Sequence, residues 1–140
     1  MSVMQQRVIK RNPSRSIVCV DQANRRAIGT AGAMRVVLTL TPDGIQTDIS
    51  GELDFSTSAR LDRVFRLVEG FDNLVLVDLS GVTFTDSTGL SPLLESASRR
   101  AANGAEPIVL TALSRASRRI LDVLSDLDEV KLLTRVAPAR

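Results

Sequence analysis

The stretch Leu74–Leu79, LVLVDL, is apolar at every position except Asp78, and further along Leu90, Leu93, Leu94 and Ala97 fall at helical spacing. A short continuous apolar run suits a strand buried on both faces. Positions i, i+3, i+4 and i+7 mark one face of an amphipathic helix. A strand that hands over to a helix in this way is the repeating unit of an α/β sheet. At the handover lie Asp86, Ser87, Thr88 and Gly89, an acid, two hydroxyls and a glycine.

The same alternation runs through most of the chain. Met34–Thr41 (MRVVLTLT) and Ile45–Ser50 flank Pro42-Asp43-Gly44, a turn signal, and read as a β-hairpin with Ile45, Thr47 and Ile49 on one side. Leu61, Val64, Phe65 and Val68 then repeat the helical spacing, with Ser56 or Thr57 as cap and Gly70 as stop. After the second helix come a strand at Pro107–Ala112, a third helix capped by Ser114, and a last strand at Val130–Thr134. The order is β-β-α-β-α-β-α-β. It predicts a single α/β domain with a mixed, mostly parallel central sheet and right-handed crossovers. The domain spans 34–135, and residues 136–140 form a short tail. Residues 1–33 lack a sustained period and read as a basic, partly flexible extension in which Ile17–Val20 can add a strand.

Composition narrows the function. There is no histidine, which removes the commonest general base, metal ligand and triad member together. The one cysteine, Cys19, makes no internal disulfide or zinc pattern, which fits a reduced cytoplasm. With four Phe and no Trp or Tyr, the core must be aliphatic and base stacking is a poor fit, so direct nucleic-acid binding is not expected. No apolar run is long enough to span a bilayer, and a soluble, cytoplasmic protein without membrane contact is expected. The net charge of +2 divides unevenly. Residues 1–35 carry seven Arg or Lys against one acid, net +6, and residues 36–140 carry eleven against fifteen, net −4. Scattered arginines, in the extension and at 99, 100, 115, 118 and 119, read as solvated surface.

The junction at 86–89 admits three readings. Ser87 can cap the helix. It can be a phosphorylation site, since a phosphate at a helix N-terminus meets unpaired N–H groups and the positive end of the dipole, with Gly89 leaving room for another chain or a nucleotide. It can be a catalytic serine, but only with a base. Lys131, the one lysine of the domain, is the sole partner on offer. Phosphate-loop and dinucleotide motifs are absent.

G-E-L-D at 51–54, LVLVDLSGVTF at 74–84 and D-S-T-G-L at 86–90, in that order, resemble the STAS domain of bacterial anti-sigma-factor antagonists, or anti-anti-sigma factors. LSRASRRILDVLSDLDEVKLL at 113–133 is similar to the family's third helix and last strand. The resemblance covers about residues 34–135. It implies a STAS-like fold, no catalysis, and transcriptional control by partner switching. The unphosphorylated protein would bind an anti-sigma factor with a kinase-type ATPase fold. That partner would phosphorylate Ser87 and let go, and a phosphatase would reset the switch. ATP and Mg²⁺ would belong to the partner, leaving this chain with no cofactor or metal of its own. The resemblance makes Ser87 the acceptor, with Thr88 second because many relatives have Ser there. Asp54, Asp86, Ser87, Thr88, Gly89 and Leu90 would be the partner-binding set, and Asp54 and Asp86 are expected on one patch. Two departures matter. Ser91-Pro92 replaces the usual small-apolar pair, so the helix is allowed to start later, capped by Ser91, with Ser87 on a looser loop. The family's final helix is missing or reduced to 136–140, which favours a homodimer or a partner over the exposed sheet. The alternative is a STAS adaptor or scaffold subunit of a larger signalling assembly, not switched by phosphate.

Overall fold

Three strands precede the segment in which the pattern sharpens: β1 (Arg7–Arg11), β2 (Ile17–Asp21) and β3 (Arg26–Ala31). They belong to a computed structural model that describes residues 7–11, 17–21, 26–31, 33–71 and 73–135. The sequence suggested one added strand here, at Ile17–Val20, and β2 is that strand. Its two neighbours were not legible, because neither RVIKR nor RAIGTA alternates cleanly. The tail at 136–140 lies outside the described residues.

β4 (Met34–Thr41) and β5 (Gly44–Leu53) form the expected hairpin, Thr41 pairing with Gly44 across the Pro42-Asp43 turn. There follow α1 (Phe55–Glu69), β6 (Val75–Thr85), α2 (Ser87–Ala102), β7 (Val109–Leu113), α3 (Arg115–Val123), α4 (Asp128–Lys131) and β8 (Thr134–Arg135). The strands lie in chain order, β1 to β8. Within 34–135, β4 is antiparallel to β5 and the β5–β6, β6–β7 and β7–β8 pairs are parallel, the mixed and mostly parallel sheet that was expected. The N-terminal strands extend it antiparallel from β4.

Chain-order strands and right-handed crossovers place the connecting helices on one face of the sheet. Burial follows. Ile45, Thr47 and Ile49 of β5 and Val75, Val77 and Leu79 of β6 are buried, while Gln46, Asp48, Leu76 and Asp78 on the other face are only half-buried. LVLVDL is therefore covered on one face, where the sequence suggested both. Leu61, Phe65 and Val68 of α1 and Leu90, Leu93, Leu94 and Ala97 of α2 close the core. Phe65 alone of the four phenylalanines is buried.

Three local expectations are corrected. Val130–Thr134 is not a strand: α4 takes Val130 and Lys131, a turn follows, and β8 keeps only Thr134–Arg135. Val130 and Leu133 are buried and Leu132 is exposed, a spacing of three that fits a helical turn and not an alternating strand. Lys131 accordingly sits exposed on α4. Arg100 is not solvated surface. It is 5% exposed, its Nε donating to the Glu106 carbonyl (2.8 Å) and a terminal N–H to that of Asn73 (3.3 Å). Arg99 clamps Glu69 of α1 with two hydrogen bonds of 2.7 and 2.9 Å and lies 3.8 Å from Asp62, tying α2 to α1. Glu69 and, behind it, Asp62 and Glu95 hold its guanidinium pKa above the ordinary value.

Candidate functional site

β5 and β6 run parallel and end side by side, Leu53 opposite Thr85. Each passes straight into a helix through an aspartate, so two helix N-termini emerge together. The glycine of G-E-L-D has a backbone reason. Gly51 has φ +90°, and a side chain there would collide with the Ala33 carbonyl, which accepts the Glu52 N–H at 3.3 Å.

Asp54 is the N-cap of α1. Its Oδ1 accepts the Ser56 N–H at 2.9 Å and the Ser56 hydroxyl at 2.6 Å, and Thr57 Oγ1 accepts the Asp54 N–H at 3.0 Å. This is a capping box, with Thr57 at the third helical position. Ser56 and Thr57, read from the sequence as caps, instead complete the cap, Ser56 by donating to the Asp54 carboxylate and the Thr57 hydroxyl by accepting the Asp54 N–H. The Ser56 hydroxyl, then the backbone N–H groups of Ser56 and Thr57, hold the Asp54 carboxyl below its ordinary pKa against a smaller opposing effect of desolvation.

Asp86 is the N-cap of α2, its Oδ1 accepting the Gly89 N–H at 2.8 Å. Neither Ser87 nor Ser91 caps the helix, and α2 does not start late. Asp86 stands in extended conformation (φ −115°, ψ −177°) and its short side chain reaches the third helical amide, so the helix begins at Ser87. Pro92 falls in the second turn, where it leaves the Thr88 carbonyl without its helical donor. The Ser91 hydroxyl donates to the Ser87 carbonyl at 3.2 Å.

The two caps are joined through the Leu53–Asp54 peptide. The Asp86 N–H donates to the Leu53 carbonyl at 3.3 Å. Gly89 is buried on the same peptide, where a Cβ would collide with the Leu53 carbonyl and stand 2.6 Å from the Asp54 nitrogen. The room that Gly89 makes is thus filled by this chain's own backbone, not left for a partner. Leu90 is fully buried in the core. Of the six residues singled out, Asp54, Asp86, Ser87 and Thr88 share the surface, and Gly89 and Leu90 hold it from beneath. Ser87 and Thr88 are exposed on the first turn of α2, and among the described residues the Ser87 hydroxyl has no hydrogen-bond partner. Exposed Phe55, next to Asp54, and Phe84, two residues before Asp86, add apolar surface that the motif did not announce.

From Ser87 a groove of about 560 Å³ runs along α2 beside the α3–α4 connection. Lys131, the base candidate read from the sequence, is not among the described residues that line it. The groove was invisible in the sequence because its far wall, Leu124, Leu127 and Glu129, lies about thirty residues along the chain from α2 and meets it only in the fold.

The family model described as "Mlab, STAS domain" matches residues 36–134, and the chain belongs to the STAS domain family. Its fold is similar to that of an anti-sigma factor antagonist from Mycobacterium paratuberculosis, a crystal structure with 24% sequence identity and a TM-score of 0.60 over 72% of this chain and 85% of that one. A comparison with curated proteins finds no match. No helix among the described residues is long and apolar enough to cross a membrane.

Proposed function

We propose that this STAS domain is an anti-sigma-factor antagonist that works by partner switching at Ser87. Unphosphorylated, it binds an anti-sigma factor that is also a serine kinase with an ATPase fold, and so frees a sigma factor for transcription. Phosphorylation of Ser87 breaks the complex, and a phosphatase restores it. The chain itself catalyses nothing, and ATP and Mg²⁺ are the partner's.

One observation carries this reading. Asp86 takes the cap, which leaves the Ser87 hydroxyl exposed and unengaged at the start of a helix. A phosphate there adds about −1.5 to −2 charges beside Asp86. Within the folded chain the helix N-terminus tolerates that charge. Inside an interface it does not: a charge left desolvated and unpaired there costs about 2–5 kcal/mol. The modification therefore acts on the complex and not on the fold.

The test is a pull-down from the native cell extract with three full-length baits, wild type, Ser87→Ala and Ser87→Asp, read by mass spectrometry. A kinase-fold ATPase held by the Ala bait and lost from the Asp bait is the expected result. A partner held equally by all three would overturn the switch and leave a STAS adaptor or scaffold.

A further inference from the structure

The groove that opens at Ser87 has a floor of leucines. Leu94 of α2 and Leu124 and Leu127 of the α3–α4 connection line it, and Leu127 is 43% exposed. Along its α2 wall stand Ser91 and Ser98, seven residues apart on either side of Leu94 and small enough for another backbone to come close. Small residues flanking an apolar one at this spacing make a seam suited to a second helix.

The rim is acidic. Glu95 and Glu129 line the groove, and Asp126 and Asp128 flank Leu127 in the chain. Among the described residues, the one cation in the lining is Arg99, which is committed to Glu69 at 2.7 and 2.9 Å. An occupant must therefore be apolar where it meets the leucines and positive where it meets the rim.

We propose that this groove receives an amphipathic helix of the partner, apolar on its buried face and basic on its flanks. The proposal rests on the reading of the Ser87 face as the partner face, and adds what the partner must present. A helix seated there ends at the α2 N-terminus, so it fixes the partner's reach to the Ser87 hydroxyl.

The probe is a fluorescein-labelled amphipathic peptide built only of leucine and lysine, titrated with the full chain by anisotropy. Its leucine–glutamate counterpart is the control. Saturable binding of the lysine peptide is expected, with at least about tenfold preference over the glutamate peptide. Leu127→Asp should weaken it about tenfold, the loss expected of a central apolar anchor. That substitution adds a negative charge, so contact by charge alone would tighten instead. Leu127 is also the N-cap of α4 without a side-chain cap bond, and the new carboxylate supplies one, so the fold is kept. Leu67→Asp, on exposed α1 surface outside the groove, should change nothing. Glu95→Lys with Glu129→Lys should reverse the preference between the peptides. No saturable binding, or binding indifferent to Leu127→Asp, would overturn the proposal. Neither peptide depends on phosphorylation, so this test can fail while the Ser87→Ala and Ser87→Asp baits still differ, and the reverse holds equally.

Discussion

Gly89 lies with its Cα against the Leu53 carbonyl, where the start of α2 meets the end of β5. Through it the two aspartate caps become parts of one surface. Gly89→Ala sets two effects against each other. Alanine favours a helix by about 1 kcal/mol. Its methyl group, however, meets backbone atoms of Leu53 and Asp54, which cannot swing aside as a side chain would. Overpacking of this kind costs about 1–3 kcal/mol, more when backbone must move. The variant should be destabilised in urea, and should bind the partner less well through displacement of Ser87. A variant stabilised by the full helix gain of about 1 kcal/mol would mean that the two elements are not in contact.

Capping can be separated from signalling at adjacent positions. Asp86→Ala removes the acceptor for the Gly89 N–H and should cost about 1 kcal/mol by chemical denaturation. Ser87→Ala removes an exposed hydroxyl that supports no cap and should leave stability within about 0.5 kcal/mol of wild type. If Ser87→Ala is the more damaging of the two, the cap has been assigned to the wrong residue.

These positions also mark what the sequence could and could not convey. The order of elements from 34 to 113 was legible because the helices carry a period of 3.6 and the strands either alternate or, like LVLVDL, run apolar for a few residues only. The caps were misread by one to three residues, at Ser87 for Asp86 and at Ser56 or Thr57 for Asp54. Asp, Ser and Thr all satisfy the same amide, and only the extended backbone of Asp54 and Asp86 decides between them. The end of the domain was misread because VKLLT is short, and its apolar Val130, Leu132 and Leu133 suit either period. The meeting of Gly89 with Leu53 and the groove beside α2 are tertiary, made by elements far apart in the chain. A glycine at the third position of a helix was the one local sign of the former.

Asp54 gives a pH test with a definite sign. Its folded pKa lies below the unfolded value of about 3.9 because the ionised carboxyl accepts from Ser56 and Thr57. The stability it contributes is complete above the unfolded pKa and is lost as pH falls through the folded pKa. The gap in stability between wild type and Asp54→Asn should be constant at neutral pH and shrink only in acid, below about pH 4. Ser56→Ala removes the largest cause, so the Asp54 carboxyl should titrate at higher pH when followed by carbon-13 NMR. An unchanged titration would show that the Ser56 hydroxyl does not bind the carboxylate in solution.

Thr47 lies on the helix-facing side of β5, fully buried, and its hydroxyl has no hydrogen-bond partner among the described residues. Leu38 and Val77 sit beside it on the neighbouring strands. A hydroxyl buried without a partner costs about 1–3 kcal/mol on protein scales. Valine replaces it with a methyl group of similar size, keeps the β-branch, and suits this apolar row. Thr47→Val should therefore raise the unfolding free energy by about 1 kcal/mol, seen as a higher urea midpoint with an unchanged slope. Because Thr47 belongs to the core and not to the surface that carries Ser87, partner binding and phosphorylation should be unaltered. A destabilised variant would mean that the hydroxyl has a partner after all, most simply a buried water bridging it to the sheet.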